Sequence, residues 1–411
     1  MTRRFYSIAL VVAVGLLALR AWRWFFGEVG LLTAAAEPDL RRYVDAALAV
    51  LDGRNPYRSP HGEVIGYVIG NTPVFLLALS PLALVSWTAA KTVGFLINVG
   101  SALAIAFLVE KRFLPAPSNL SRLVLIATIF LAFAPTSSAI QLGQTPLVVF
   151  LAALAGVISL PRSQLLAGLL FGFALSKYSL TFLFVPYLLC ERRYLALVVA
   201  LFVQVAGVAC VSWLVSLSPA QLMRDYAEQA SPFLYRRTEY RLYSRLVEAG
   251  LSPATCRTID IASILVSVGV TVRYLLSPRL RNAATDRSVL LPFLLIGAMP
   301  FVYHRLYDGV VFILLTITLA WAWNERARSI GDRRYANGVA AVTALVFIVL
   351  LSPRLLREHW RALQFIGGSA ETIVALLAWT FLAARLSWRG APAPTARRPP
   401  VGADPRSPHQ I

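Results

Sequence analysis

The chain has 411 residues, 58% of them hydrophobic and only 14% charged, and a formal net charge of +19. Soluble domains carry about 25% charged residues, so this composition excludes an ordinary soluble enzyme and points to a polytopic membrane protein whose apolar runs are bounded by arginines. The basic residues are dispersed between those runs and form no nucleic-acid-binding motif, so no nucleic-acid partner is expected. Three cysteines and four histidines show neither disulfide nor metal spacing.

Taken in chain order, Arg3 and Arg4 precede an apolar run that continues through Trp22, Trp24 and Phe26 without a small-residue cleavage site, which reads as an uncleaved first span. A long loop over 27–70 follows, carrying Asp39, Tyr43, Asp45, Asp52, Asn55 and Tyr57. The stretch 73–85 has prolines at 73 and 81 and is too short to cross, which suits an interfacial or re-entrant helix. Further spans are predicted near 91–109, 122–140, 145–160, 165–176, 179–189, 195–217, 258–276, 289–303, 309–323, 338–352 and 370–387. With the first run, 6–26, they make an all-α bundle of about twelve transmembrane helices. Residues 1–389 form this membrane domain, and 390–411 a disordered, basic, proline-rich tail.

Placing Arg3 and Arg4 in the cytoplasm puts the tail there too, and the short basic connections then obey the positive-inside rule. Most of the excess positive charge thereby faces inward. The loops over 27–70 and 218–257 face outward, and their aromatic content argues for function and against disorder. Segments 165–176 and 179–189 are too short to cross singly and read as a helical hairpin with Lys177 at its apex. A lysine at mid-depth costs about 2.5 to 3.5 kcal/mol on insertion scales, so it should face water or an anion. On the outer side Asp39, Tyr43, Asn55 and Tyr57 join Gln141, Gln144, Lys177, the basic aromatic run 235–241 and the stretch 303–308 with His304, Arg305 and Asp308. One candidate carboxylate base among several cations fits proton abstraction from a hydroxyl with phosphate as the departing group.

The spacing Asp39, Tyr43, Ala46, then Gly53, Pro56, Tyr57, resembles the Asp-x-x-x-Tyr-x-x-Ala and Gly-x-x-Pro-Tyr signature of glycosyltransferase family 87, polyprenyl-phosphate-mannose-dependent mannosyltransferases. Thr72-Pro73-Val74-Phe75 with Ser80-Pro81-Leu82 is similar to that family's proline-bracketed juxtamembrane helix. Gly143-Gln144-Thr145-Pro146 is similar to its Gly-Gln-x-Asn step, and Ala167-Gly168 through Gly172 to Lys177 to its Gly-rich helix ending in lysine. Thr145 stands where the family often has Asn, Ser179 lacks the usual nearby proline, and 303–308 replaces a Trp/His-type element. The resemblance implies a GT-C fold in the plasma (inner) membrane, active on the periplasmic or exterior face. It implies inverting transfer of a hexose, foremost mannose, from a polyprenyl-phosphate sugar to a glycolipid or envelope-glycan acceptor. Asp39 falls at the family's catalytic aspartate. Lys177, His304 and Arg305 are candidates to meet the phosphate, and Gln144, Tyr43, Asn55, Tyr57 and Asp308 to bind substrate or brace the loop.

Simpler readings stand beside these. Asp39 follows Pro38 and precedes a helical pattern, as an N-cap would; Asp45 suits a surface ion pair. Residues 53–57 make a good turn unaided. Lys177 is long enough to snorkel, His304 and Asp308 could pair across one helical turn, and 235–245 could be an amphipathic surface segment. No cofactor is called for, although Asp39 and Asp45 leave room for a divalent cation. A transporter or flippase of lipid-linked saccharide is the alternative function; it would show an internal repeat and polar residues through the bilayer midplane, and neither is evident.

Overall fold

A computed structural model describes residues 3–26, 39–58, 71–113, 120–230, 246–247, 250–276, 287–297 and 306–314. Its regular elements are helices, with no strand among the described residues. In chain order they are α1 (Arg3–Phe26), α2 (Asp39–Leu51), α3 (Pro73–Ala83), α4 (Trp87–Phe113), α5 (Leu120–Ala132), α6 (Ala134–Leu142), α7 (Pro146–Ser159) and α8 (Gln164–Ala174). A 3-10 turn, Leu175–Lys177, leads into α9 (Tyr178–Thr181), then α10 (Phe184–Cys190), α11 (Tyr194–Leu214), α12 (Pro219–Ala230), α13 (Pro253–Leu276) and α14 (Arg287–Gly297). A second 3-10 segment, Leu306–Val311, ends the described chain but for a few residues.

Three of these helices, α4, α11 and α13, are long and apolar enough to cross a membrane, or up to five spans exist if each of two bent pairs is one. Their outer faces are apolar, with Leu96 and Phe107 on α4, Phe202, Val205 and Trp213 on α11, and Leu265 and Val266 on α13 all exposed. In water such surface would be an aggregation hazard; in lipid it is solvated. The described residues are thus those of a helical membrane protein. The spans expected over 338–352 and 370–387, most of 309–323, and the tail lie outside the described residues.

Two expected elements take a different form. The single span expected over 122–140 is broken at Phe133, where α5 and α6 meet at 65°. Pro135 in the first turn of α6 supplies the reason, since it has no N–H to continue the preceding helix. The expected hairpin over 165–189 exists, but its 120° reversal falls after Thr181. Lys177 therefore sits in the 3-10 turn one helical turn before the bend, and not at the apex. The Thr181 hydroxyl donates to the carbonyls of Ala174 and Lys177 and so closes this irregular backbone on itself.

The Gly-rich motif is a packing device. A Cβ on Gly168 would lie 2.7 Å from the Ala196 carbonyl, and one on Gly172 would lie 2.7 Å from Cβ of Val203 and 3.1 Å from the Ala200 carbonyl. Small residues at four-residue spacing on α8 thus face Ala196 and Ala200, equally spaced on α11, which lets two helix backbones close together where no hydrophobic effect drives them. Gln204 on α11 donates to the Gly172 carbonyl at 2.6 Å and accepts from the Thr72 hydroxyl at 2.8 Å. The start of α3 is thereby tied to the α8–α11 pair.

Candidate active site

Helix α2 carries the first group of candidates. Its buried positions, Leu40, Tyr43, Val44, Ala47 and Val50, recur at three- and four-residue intervals, so one face of a charged helix can dock on the bundle. The docking point is Leu40, whose side chain lies against Gly94 of α4 and Gly143 after α6. A Cβ on Gly143 would come within 2.5 Å of Cβ of Leu40. Gly143 also has φ 64°, the left-handed turn that ends α6. The same glycine therefore stops one helix and seats another, with Gln144 as the next residue.

Asp39, in the first turn of α2, accepts from Arg42 at 3.0 Å through Oδ1 and from the Gln144 amide through Oδ2. The amide oxygen of Gln144 accepts the Tyr43 hydroxyl at 3.0 Å. Tyr43 packs edge-on to Phe75 of α3, with ring centroids 5.5 Å apart. Burial, and then the carboxylates of Asp39 and Asp308, push its phenol well above the ordinary value, so it stays a neutral donor at any working pH.

Asn71 connects this group to the second. Its Oδ1 accepts the Thr145 hydroxyl at 3.4 Å, and its side chain also bonds the Tyr43 phenol. The neighbouring Thr72 N–H donates to the Ser176 carbonyl at 2.9 Å, which brings the 3-10 turn with Lys177 to the same end of the bundle. Lys177 is 3.1 Å from Oδ1 of Asp308, whose carboxylate is 1% exposed. Removing one partner of such a pair costs about 3–5 kcal/mol because the other charge stays buried.

The third group is separate. Asn55 donates to Asp225 of α12 at 2.7 Å and accepts the Tyr57 N–H at 3.0 Å, an Asx-type turn. Arg58 bonds the other oxygen of Asp225 at 2.7 Å and also pairs with Glu228. Tyr57 is fully buried 5.4 Å from the Tyr226 ring, and burial raises its phenol's pKa. Its hydroxyl has no partner among the described residues.

The expected residues thus divide. Asp39, Tyr43 and Gln144 are in direct contact, and Asp308 and Lys177 form a neighbouring pair reached through Tyr43 and Asn71. Asn55 and Tyr57 lie in the loop-bracing cluster with α12. His304, Arg305 and the run 235–245 fall outside the described residues. Asp308 stands in a 3-10 segment and pairs with Lys177, while its expected partner His304 lies outside the described residues. The Asp39 carboxylate accepts from side chains of α2 and of the α6–α7 turn. Asp45 pairs at 3.0 Å with Arg41, which lies over the Trp87 ring, so the surface ion pair is what forms. No group of three or more metal-ligating side chains exists among the described residues. Sequence reasoning passed over Asn71, Arg58 and Asp225. Arg58 abuts the Pro-Tyr turn and Asp225 sits on a visibly amphipathic helix, but nothing in either segment announces the other as its partner.

A carboxylate, an amide and a buried lysine are thus assembled at one end of the helices. Residues 70–237 match the family model of glycosyltransferase family 87. This is the family the motifs resemble, and the matched stretch is similar to its glycosyltransferases. The family 87 match includes Gln144 and Lys177, while Asp39 lies upstream of it. A comparison with curated proteins finds no match.

Proposed function

We propose that this protein is a glycosyltransferase that moves a hexose, foremost mannose, from a polyprenyl-phosphate sugar to a glycolipid or envelope-glycan acceptor on the external face of the plasma membrane. The observation that carries the reading is the Asp39 carboxylate held by the Gln144 amide, with the Lys177 cation brought to the same end by Asn71 and Thr72. Asp39 takes the proton of the acceptor hydroxyl. The acceptor oxygen then bonds to the anomeric carbon from the face opposite the phosphate, and the carbon–oxygen bond to phosphate breaks with its electron pair leaving on polyprenyl phosphate. Inversion follows from that single displacement. The leaving group is a stable anion and needs cations, not a general acid; Lys177 is the candidate, with His304 and Arg305 close in sequence to Asp308. Asp308 keeps Lys177 in place between turnovers.

The test is purified protein in lipid nanodiscs, given radiolabelled polyprenyl-phosphate mannose and a lipid extract. Labelled glycolipid from the wild type, and none from Asp39→Asn, supports the reading. Label that crosses the bilayer of sealed proteoliposomes without being transferred would establish the saccharide-transporter reading instead.

A further inference from the structure

Each side chain between Thr145 and Asp39 has a hydrogen-bonding role fixed by chemistry. An ionised carboxylate only accepts, so Gln144 must turn its Nε2 toward Asp39 Oδ2. Its Oε1 is then an obligatory acceptor, and Tyr43, 3.0 Å away, must donate to it. Tyr43 Oη retains lone pairs and is bonded by Asn71, whose own Oδ1 is taken by the Thr145 hydroxyl; the Asn71 N–H is left for Tyr43. The order runs one way, from the Thr145 hydroxyl through Asn71, Tyr43 and Gln144 to the carboxylate. Asn71, Gln144 and Thr145 are 1–2% exposed and Tyr43 6% exposed, so water competes little for these bonds. Bonds in such a chain polarise one another in the same direction.

We propose that Tyr43, acting through Gln144, is a positioning residue for Asp39, with Asn71 and Thr145 as the fixed end of the chain. The phenol does not touch the sugar. It prevents the Gln144 amide from rotating, and a rotated amide would present its oxygen to the carboxylate. One carboxylate oxygen is thus held by the buried Gln144 amide, and the other, bonded among the described residues by the half-exposed Arg42, is the one an acceptor hydroxyl can reach. The assignment depends on the function proposed above only for its kinetic readout.

The test compares Tyr43→Phe, Gln144→Ala, the double variant and the wild type, all in nanodiscs. Tyr43→Phe keeps the ring against Phe75 and removes only the donor. In glycosyl transfer, kcat should fall about tenfold with the donor KM nearly unchanged, the signature of an interaction lost in the transition state. In the Gln144→Ala background the same substitution should have little further effect, because contacting residues in one network are coupled. A raised KM with unchanged kcat, or effects that simply multiply, would overturn the assignment in favour of direct sugar contact. An infrared measurement without substrate keeps the two ideas apart. The difference between wild type and Asp39→Asn isolates the Asp39 carboxylate stretch, which should move in Tyr43→Phe and in Gln144→Ala by the same sign. An unmoved band sinks the chain whatever the enzyme does, whereas a moved band in a protein without transferase activity would sink the function and leave the chain standing.

Discussion

The first-loop signature splits into two clusters that behave differently. Asp39 and Tyr43, at its start, reach across to Gln144, and the nearby Lys177 and Asp308 come from still more distant segments. Asn55 and Tyr57, at its end, join Arg58, Asp225, Glu228 and Tyr226 in a cluster whose charges answer one another. The second cluster spends its polar groups on joining two loops, which suits a clasp. In the first, donors converge on one carboxylate at a partly open position, an asymmetry that suits the base proposed above. Residues only a few turns apart in one motif can therefore serve chemistry and architecture separately.

That contrast can be broken most sharply at its two ends. Asp39→Asn should lower transfer by about a hundred- to ten-thousandfold, as for loss of a general base, while leaving the inserted, folded protein intact; product assays and detergent gel filtration check both halves. Lys177→Met should lower kcat by about a hundredfold or more, as for loss of one group stabilising a developing anion. It should also destabilise the fold, because Asp308 is left buried. Adding Asp308→Asn should restore thermal stability without restoring transfer, and a double variant with normal turnover would remove Lys177 from the chemistry. In the clasp, Asp225→Ala should reduce stability by about 2 kcal/mol, less than for a fully buried pair because Arg58 is partly exposed. It should lower Tm and retain most kcat. Asp45→Asn should be the mildest, within about 0.5 kcal/mol and with unchanged transfer, as befits an exposed pair.

The sequence made the bundle legible because lipid imposes a long apolar period on every span, and α4, α11 and α13 stand close to the predicted limits. It misjudged places where a helix is interrupted within an apolar run. Phe133 and the turn after Thr181 are set by Pro135 and by tertiary packing, which hydropathy cannot register. Among the candidates, Lys177 stood out because a charge inside membrane helices is expensive, and Asp39 because its spacing to Tyr43 and the Pro-Tyr turn follows a family signature. Asn71, Asp225 and Leu40 did not. Their importance lies in what they touch some 70 to 170 positions away, and nothing local marks such a contact.

Gly143 makes that long-range dependence concrete. It is a site where a single missing carbon sets a tolerance, because Leu40 occupies the room that any side chain at 143 would need. The next residue after Leu40's seat is the amide, and the residue before Leu40 is the carboxylate, so seat and chemistry share one register. An alanine there would add only a methyl group, yet it would lift the first turn of α2 from the bundle and part Asp39 from Gln144. The fit of a leucine into a gap between two glycines thus acts as a gauge block, converting the hardness of atoms into the placement of the carboxylate proposed to accept a proton.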